Sequence, residues 1–359
     1  MLAVHRIVLT VFLAAAALDL CHGATLFSVF DDSALASEVG ASSRGVFGLT
    51  VQSIPSPVNA PGIYLMTVAG IGSAGPSQNA GPVFVSDVFD TSQSVNFNQV
   101  SPNWGTGIKL NEDSLFAGSG TSSYFIGPPR FLYTFDFQTN GPAVPFTLDL
   151  PPLPGSSLAV SGVYPNDTLY AIFATTNDIY SLRLFGTTAP STPIVQGFPF
   201  ASTPVGLAVG PGGLLYTMGS VSVDTGNCQV SQWCVFSFDP ATGNLVSDFA
   251  VPAALPNGAI AVSSTGQIYL SDGDGGGYAF DLAGNLLDVL SPTSVNPYTL
   301  GGRSLIALDP NNDLYTFDTA TGLHVFDVSQ VGAPEPGSVW LLIAGIALMA
   351  GARRVASAK

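Results

Sequence analysis

Apolar and polar positions alternate in short runs through the middle of the chain, and Gly, Pro, Asn or Asp interrupts them every few residues. Runs of this kind with a period of two predict β-strands, and the interruptions predict turns. One unit recurs: a small apolar strand, a polar turn, then a strand centred on Leu-Tyr or Ile-Tyr. It appears as GIYLMTV (62–68), SLFAGSG (114–120), TLYAIFA (168–174), LLYTMGS (214–220), QIYLSDG (267–273) and DLYTFDT (313–319). The aromatic positions Tyr64, Phe116, Tyr170, Tyr216, Tyr269 and Tyr315 stand 52, 54, 46, 53 and 46 residues apart.

The strand before the Tyr strand is small and apolar, as in GLAVG (206–210), AIAVS (259–263) and LIALD (305–309). The strand after it ends in an aromatic, usually with Asp: VFVSDVFD (83–90), LYTFDF (132–137), IYSLRLF (179–185), VFSFD (235–239), YAFD (278–281) and LHVFD (323–327). A looser fourth stretch closes several units, as in GNLVSDFAVP (243–252) and GNLLDVLSP (284–292). Four short strands in each repeat of roughly 50 residues predict an all-β fold, a six-bladed β-propeller. Seven blades, or two β-sandwich domains, are the alternatives. Small residues suit the first strand because inner strands crowd around a central channel. The general pattern resembles the NHL, gluconolactonase-like and quinoprotein-like propellers.

The last unit supplies LIALD, LYTF and LHVFD and then runs into residues 331–334 with no fourth strand. A three-stranded blade would leave an open edge, which is an aggregation liability. The apolar strand TLFSVFD (25–31) stands ahead of the first complete unit with no partner of its own. The expectation is that Thr25 to Phe30 pairs with the blade containing Tyr315 and ties the two ends of the body together.

The 359 residues include 40 Gly and 27 Pro, and only 9% are charged, yet 47% are apolar, ample for a core. Against 24 Asp and Glu stand 9 Lys and Arg, for a net charge of -15. Arg6, Arg353, Arg354 and Lys359 lie near the ends, so the middle keeps only Arg44, Lys109, Arg130, Arg183 and Arg303. Without clustered cations, such a body is expected to repel nucleic acid and anionic lipid rather than bind them.

Residues 1–23 read as a secretory signal peptide, with Arg6 ahead of an uncharged run of 12 residues from Ile7 to Leu18. The expected domains are this signal helix, a body over 24–330, and a C-terminal segment over 331–359. That segment contains APEPGSVWLLIAGIALMAGARR (333–354), in which residues 338–352 form a stretch of 15 without a charge. As a helix it is roughly 22 Å long, short for a ~30 Å hydrocarbon core but usable as a transmembrane helix with snorkelling flanks. Arg353 and Arg354 would stay on the cytoplasmic side. Pro334 and Pro336 forbid helix continuation and keep the strip outside the membrane extended.

Pro334, Glu335 and Pro336, the apolar helix and the Arg353–Arg354 pair, in that order, resemble the PEP-CTERM sorting signal of Gram-negative bacteria. The resemblance covers about the last 27 residues. It implies recognition by an exosortase, transient residence in the inner membrane, cleavage near the knuckle, and release or transfer to the cell surface. It also implies a link with exopolysaccharide and biofilm production.

Cysteine usage agrees with export. If Cys21 leaves with the signal, Cys228 and Cys234 remain in CQVSQWC, and an even count in an exported protein predicts a disulfide. A metal pair is the alternative, but no His or third Cys stands nearby to complete a soft site.

Catalytic chemistry is sparse. The histidines are His5, His22 and His324, and the first two belong to the signal segment. One His cannot build a multi-His metal site, and a Ser-His-Asp triad could use only His324, on a predicted third strand. Asp272 and Asp274 in SDGDGGG (271–277), and Asp309, Asn311, Asn312 and Asp313 in LDPNNDL (308–314), offer oxygen ligands of the kind that suit Ca²⁺. Neither stretch has the closing Glu of an EF-hand, and these residues are also the ordinary residues of tight turns. The turn reading is preferred, with no cofactor assigned. Gluconolactonase-like enzymes hold a metal at the channel mouth, but no ligand of theirs matches residue by residue here. The expectation is therefore a non-enzymatic surface protein that binds matrix polysaccharide or protein, with no catalytic residue assigned. A Ca²⁺-dependent propeller hydrolase, lactonase or lyase is the first alternative, and a structural protein with no ligand the second.

Overall fold

The computed structural model describes the strands given below, residues 162, 176–177, 193–202, 204–256, 258–271, 277–290 and 328, and Val331. The strands are β1 (Thr25–Phe30), β2 (Val46–Pro55), β3 (Pro61–Ala69), β4 (Leu115–Ser119), β5 (Ser122–Gly127), β6 (Phe131–Asp136) and β7 (Val144–Thr147). Next come β8 (Ser157–Ser161), β9 (Thr168–Phe173), β10 (Asp178–Arg183), β11 (Val205–Val209), β12 (Leu215–Ser220), β13 (Trp233–Phe238) and β14 (Leu245–Ala250). The last are β15 (Ile260–Val262), β16 (Gln267–Ser271), β17 (Gly277–Asp281), β18 (Leu286–Leu290), β19 (Leu305–Leu308), β20 (Asp313–Asp318) and β21 (Gly322–Asp327).

The described body is all-β, and its strand pairs are antiparallel. It forms six sheets among the described residues: β2-β3, β4-β5-β6-β7, β8-β9-β10, β11-β12-β13-β14, β15-β16-β17-β18, and β19-β20-β21-β1. Strands consecutive in the chain are neighbours within each sheet, and β1 alone joins its sheet from the other end of the body. In the β8–β10 sheet, Val195 adds a bridge to Ile179 where a fourth strand would lie. The first strands of the sheets neighbour one another in a closed cycle: β2 with β4, β4 with β8, β8 with β11, β11 with β15, β15 with β19, and β19 with β2.

The two ends of the body meet as expected. β1 pairs antiparallel with β21, with Thr25 opposite Asp327 and Phe30 opposite Leu323. It is the fourth strand that the Tyr315 unit lacks. One expectation needs correcting. Phe116 does not occupy the second strand of its unit, because Leu115–Ser119 comes first in its sheet. The second strand is Ser122–Gly127, and Tyr124 holds the tyrosine position, opposite Ala117. The small residues Ala117 and Gly118 carry the first-strand pattern, and the apolar Leu-Phe pair beside them masks it.

Layers between successive sheets form the core. Tyr170 and Ile172 of β9 pack with Leu215, Phe236 and Phe238 of the following sheet. Tyr216, Met218 and Phe249 meet Ile260, Ile268 and Phe280 of the next. Tyr269 and Ala279 meet Leu314 and Phe326 of the one after. Strand alternation makes this possible: Leu215 faces back, Tyr216 faces forward, and both are buried. Where first strands approach, Gly206 sits at a bulge in β11 with φ +69, and a Cβ there would stand 2.9 Å from the backbone N of Ile260.

Among the described residues no helix is long and apolar enough to cross a membrane. Residues 1–23 and 332–359, the unit strand at 83–90, the loops at 272–276 and 309–312, and with them Pro334, Glu335, Pro336, Arg353, Arg354, Asp272, Asp274, Asp309, Asn311 and Asn312, lie outside the described residues.

Candidate functional site

Antiparallel meanders give the body two ends. At one lie the short turns 210–214, 239–244, 263–266 and 282–285, together with Thr25 and Asp327 at the ends of β1 and β21. At the other lie the long loop 221–232, between β12 and β13, and the connections 193–204 and 251–259 that lead into the next sheet. The second end is thus the one turned away from both chain termini of the body.

The turn end is built from Asp and Asn in local roles. Asp239 accepts from Ala241 N at 2.8 Å and Thr242 Oγ1 at 2.9 Å. Those two contacts, the backbone one first, hold its carboxyl below the usual range. Asp281 accepts from Asn285 Nδ2 at 2.7 Å and from the backbone N–H groups of Ala283 and Asn285. Its carboxyl is likewise held low, chiefly by the Asn285 side chain. At the ends of β13 and β17 the Phe-Asp ending is therefore a turn device, in which a carboxylate accepts from nearby backbone donors.

The loop 221–232 is fastened three ways. Cys228 and Cys234 form the expected disulfide, with Cα atoms 6.2 Å apart. It ties the loop to β13 and is buried, at 1% and 0% exposure. Across the sheet, Asp248 on β14 is only 5% exposed. Its Oδ1 accepts from Asn227 N at 2.9 Å and its Oδ2 from Thr225 Oγ1 at 2.9 Å. Asn227 Nδ2 returns a bond to Asp248 O at 3.1 Å. Gly226, with φ +46, permits this approach, since a Cβ there would stand 2.6 Å from Asp248 Oδ1. Thirdly, the N–H of Ser222 donates to Pro199 O, and that of Ser231 to Val221 O.

A loop held so firmly presents a fixed surface. Asp224 accepts from Val230 N at 2.8 Å, which fixes the tip. Val223 and Val230 are 58% and 52% exposed there. The arrangement offers apolar groups, loop amides and carbonyls on a rigid base, which is the chemistry of recognition. No group of three or more His, Cys, Asp or Glu among the described residues could hold a metal ion. Asp313 begins β20, and His324 stands on β21, the third strand of its sheet, opposite Thr316 and Val29. Sequence reading missed Asp248, although a charged residue between Ser247 and Phe249 in an apolar strand was a visible sign that something must satisfy it.

No family model matches the chain, and no curated protein matches it. Among solved structures it is similar to a chain of a crystal structure of the mitotic checkpoint complex, at 11% identity and a TM-score of 0.44, with 85% of this chain and 95% of that one covered.

Proposed function

We propose that this protein is an exported six-bladed β-propeller, sorted to the cell surface by exosortase processing at Pro334-Glu335-Pro336, which binds a matrix polysaccharide or protein without catalysing a reaction. The six blades are the six sheets, and the closed cycle of first strands supports the ring. The buried Cys228–Cys234 disulfide agrees with passage to an oxidising compartment. The observation that carries the binding role is the triply fastened 221–232 loop at the end away from both termini. Exposed Val223 and Val230 are presented on a rigid loop, which lowers the ordering cost of binding.

The test is a co-sedimentation assay of the full-length chain with extracellular polysaccharide and envelope protein from the producing cells. Val223→Ser with Val230→Ser should weaken binding about tenfold without shifting the melting temperature, since both residues are exposed. Equal binding by wild type and the double variant would refute the role of this loop. Stoichiometric Ca²⁺ in the purified protein, with turnover of sugar lactones, would replace the reading with the hydrolase.

A further inference from the structure

The backbone of Gln267 closes the turn 263–266. Gln267 N donates to Ser263 Oγ at 2.9 Å, and Ser263 N donates to Gln267 O at 2.8 Å. The amide side chain is instead turned toward the end of the chain. Its Oε1 accepts from Tyr269 Oη at 3.0 Å and from Thr265 Oγ1 at 3.2 Å. Two hydroxyl donors leave the amide one orientation, with its NH₂ pointing away from them. That group donates to Val331 O at 2.5 Å. Nothing in the repeat demands the amide: Leu214 holds the same place, two residues before Tyr216.

Val328 and Val331 are buried, at 0% and 1% exposure, in the layer that holds Tyr269, Leu314 and Phe326. Val331 is thus packed within the body. Pro334 follows Val331 by three residues, at most ~10 Å of extended chain at ~3.3–3.6 Å per residue. A protease takes its substrate as extended backbone, in the manner of an added strand. For a cut near Pro334, the residues just before it must enter the cleft, and Val331 is among them.

We propose that Gln267 is a clasp on the chain's own C-terminal segment, which holds Val331 in the body and withholds it from a protease that would cut just after it, until the clasp opens. The clasp deepens the sorting reading and rests on it only for its role in the cell. The burial of Tyr269 keeps its hydroxyl protonated and able to donate across the physiological range.

The experiment is limited digestion of the full-length chain in mild detergent by a broad-specificity protease, with cuts at 328–336 and at the exposed turn 239–244 timed by mass spectrometry. Gln267→Ala and Gln267→Glu both remove the donor to Val331. Each should speed cutting at 328–336 about fivefold, the change that loss of one net hydrogen bond makes to an opening equilibrium. Cutting at 239–244 should stay at the wild-type rate, which a general loss of stability would not allow. Tyr269→Phe, which keeps the ring and removes the hydroxyl behind the amide, should give a smaller rise. Equal rates at 328–336 in wild type and both Gln267 variants would overturn the clasp. In exporting cells, removal of Arg353 and Arg354 should be faster in Gln267→Ala. If the fivefold difference is seen in vitro while neither chain loses its tail in cells, the clasp stands and the sorting reading falls.

Discussion

Five times among the described residues an alanine of a first strand lies opposite the tyrosine of the second: Ala117 with Tyr124, Ala159 with Tyr170, Ala208 with Tyr216, Ala261 with Tyr269, and Ala307 with Tyr315. Each such cross-strand pair sets a large side chain against a small one. The next residue of the second strand tells two related sites apart. Thr217 donates to Gly206 O at 2.6 Å, whereas the Thr316 hydroxyl, one of the buried polar groups, has no partner. Thr217→Val should therefore cost about 1 kcal/mol in chemical denaturation, and Thr316→Val should cost less or stabilise. A larger loss at Thr316 would contradict this account. Tyr269 supplies a pH dependence. Burial first, then the charge of Asp288, push its hydroxyl well above the ordinary value, and burial alone raises Tyr170 and Tyr216. A raised folded-state pKa gives stability that is complete below the unfolded value of about 10 and is lost as pH rises beyond it. Melting temperature should fall above about pH 10, and less steeply in Tyr269→Phe.

At the scale of elements, β1 closes the sheet that β19, β20 and β21 leave one strand short. Its pairing with β21 covers a backbone edge and joins the two ends of the body, so that no sheet can peel away alone. A chain starting at Asp32 should melt markedly earlier than one starting at Thr25, and equal melting temperatures would count against the strand as a closure. The disulfide acts on a smaller loop. Replacing Cys228 and Cys234 with Ala should cost about 2 kcal/mol, at the low end of the usual range because the closed loop is short. Asp248 would still hold Thr225 and Asn227 in that variant, so the loop should remain in place. Alkylation of the native, non-reduced protein should find no free thiol at either position.

At the scale of the whole molecule, Thr25 and Asp327 leave the same end of the body, and the 221–232 loop faces the other way. A chain tethered through its C-terminal segment would hold the loop away from the membrane, where a matrix component could reach it. If residues 338–352 serve as a stop-transfer helix, secreted protein should have lost its last ~20–25 residues, the part that such a helix occupies. Mass spectrometry that finds Arg353 and Arg354 on secreted protein would sink the processing step. On the same reading, replacing both arginines should cause mislocalisation, because they would set the orientation of such a helix.

The all-β class of the body, the four-strand unit seen in four of the six described sheets, the Cys228–Cys234 bridge and the pairing of Thr25–Phe30 with the last sheet could all be read along the chain. These were legible because they follow from local alternation, turn residues and simple counting: a unit one strand short, and a strand with no unit. Phe116 was misplaced because an apolar pair in a first strand looks, in one dimension, like the second strand of its neighbours. That Asp248 grips Thr225 and Asn227, 23 and 21 residues away, and that Gln267 reaches Val331, 64 residues away, follows from how the sheets stack. Alternation records which face of a strand is buried, but a buried polar group chooses its partner through space. Those choices appear only once the sheets are stacked.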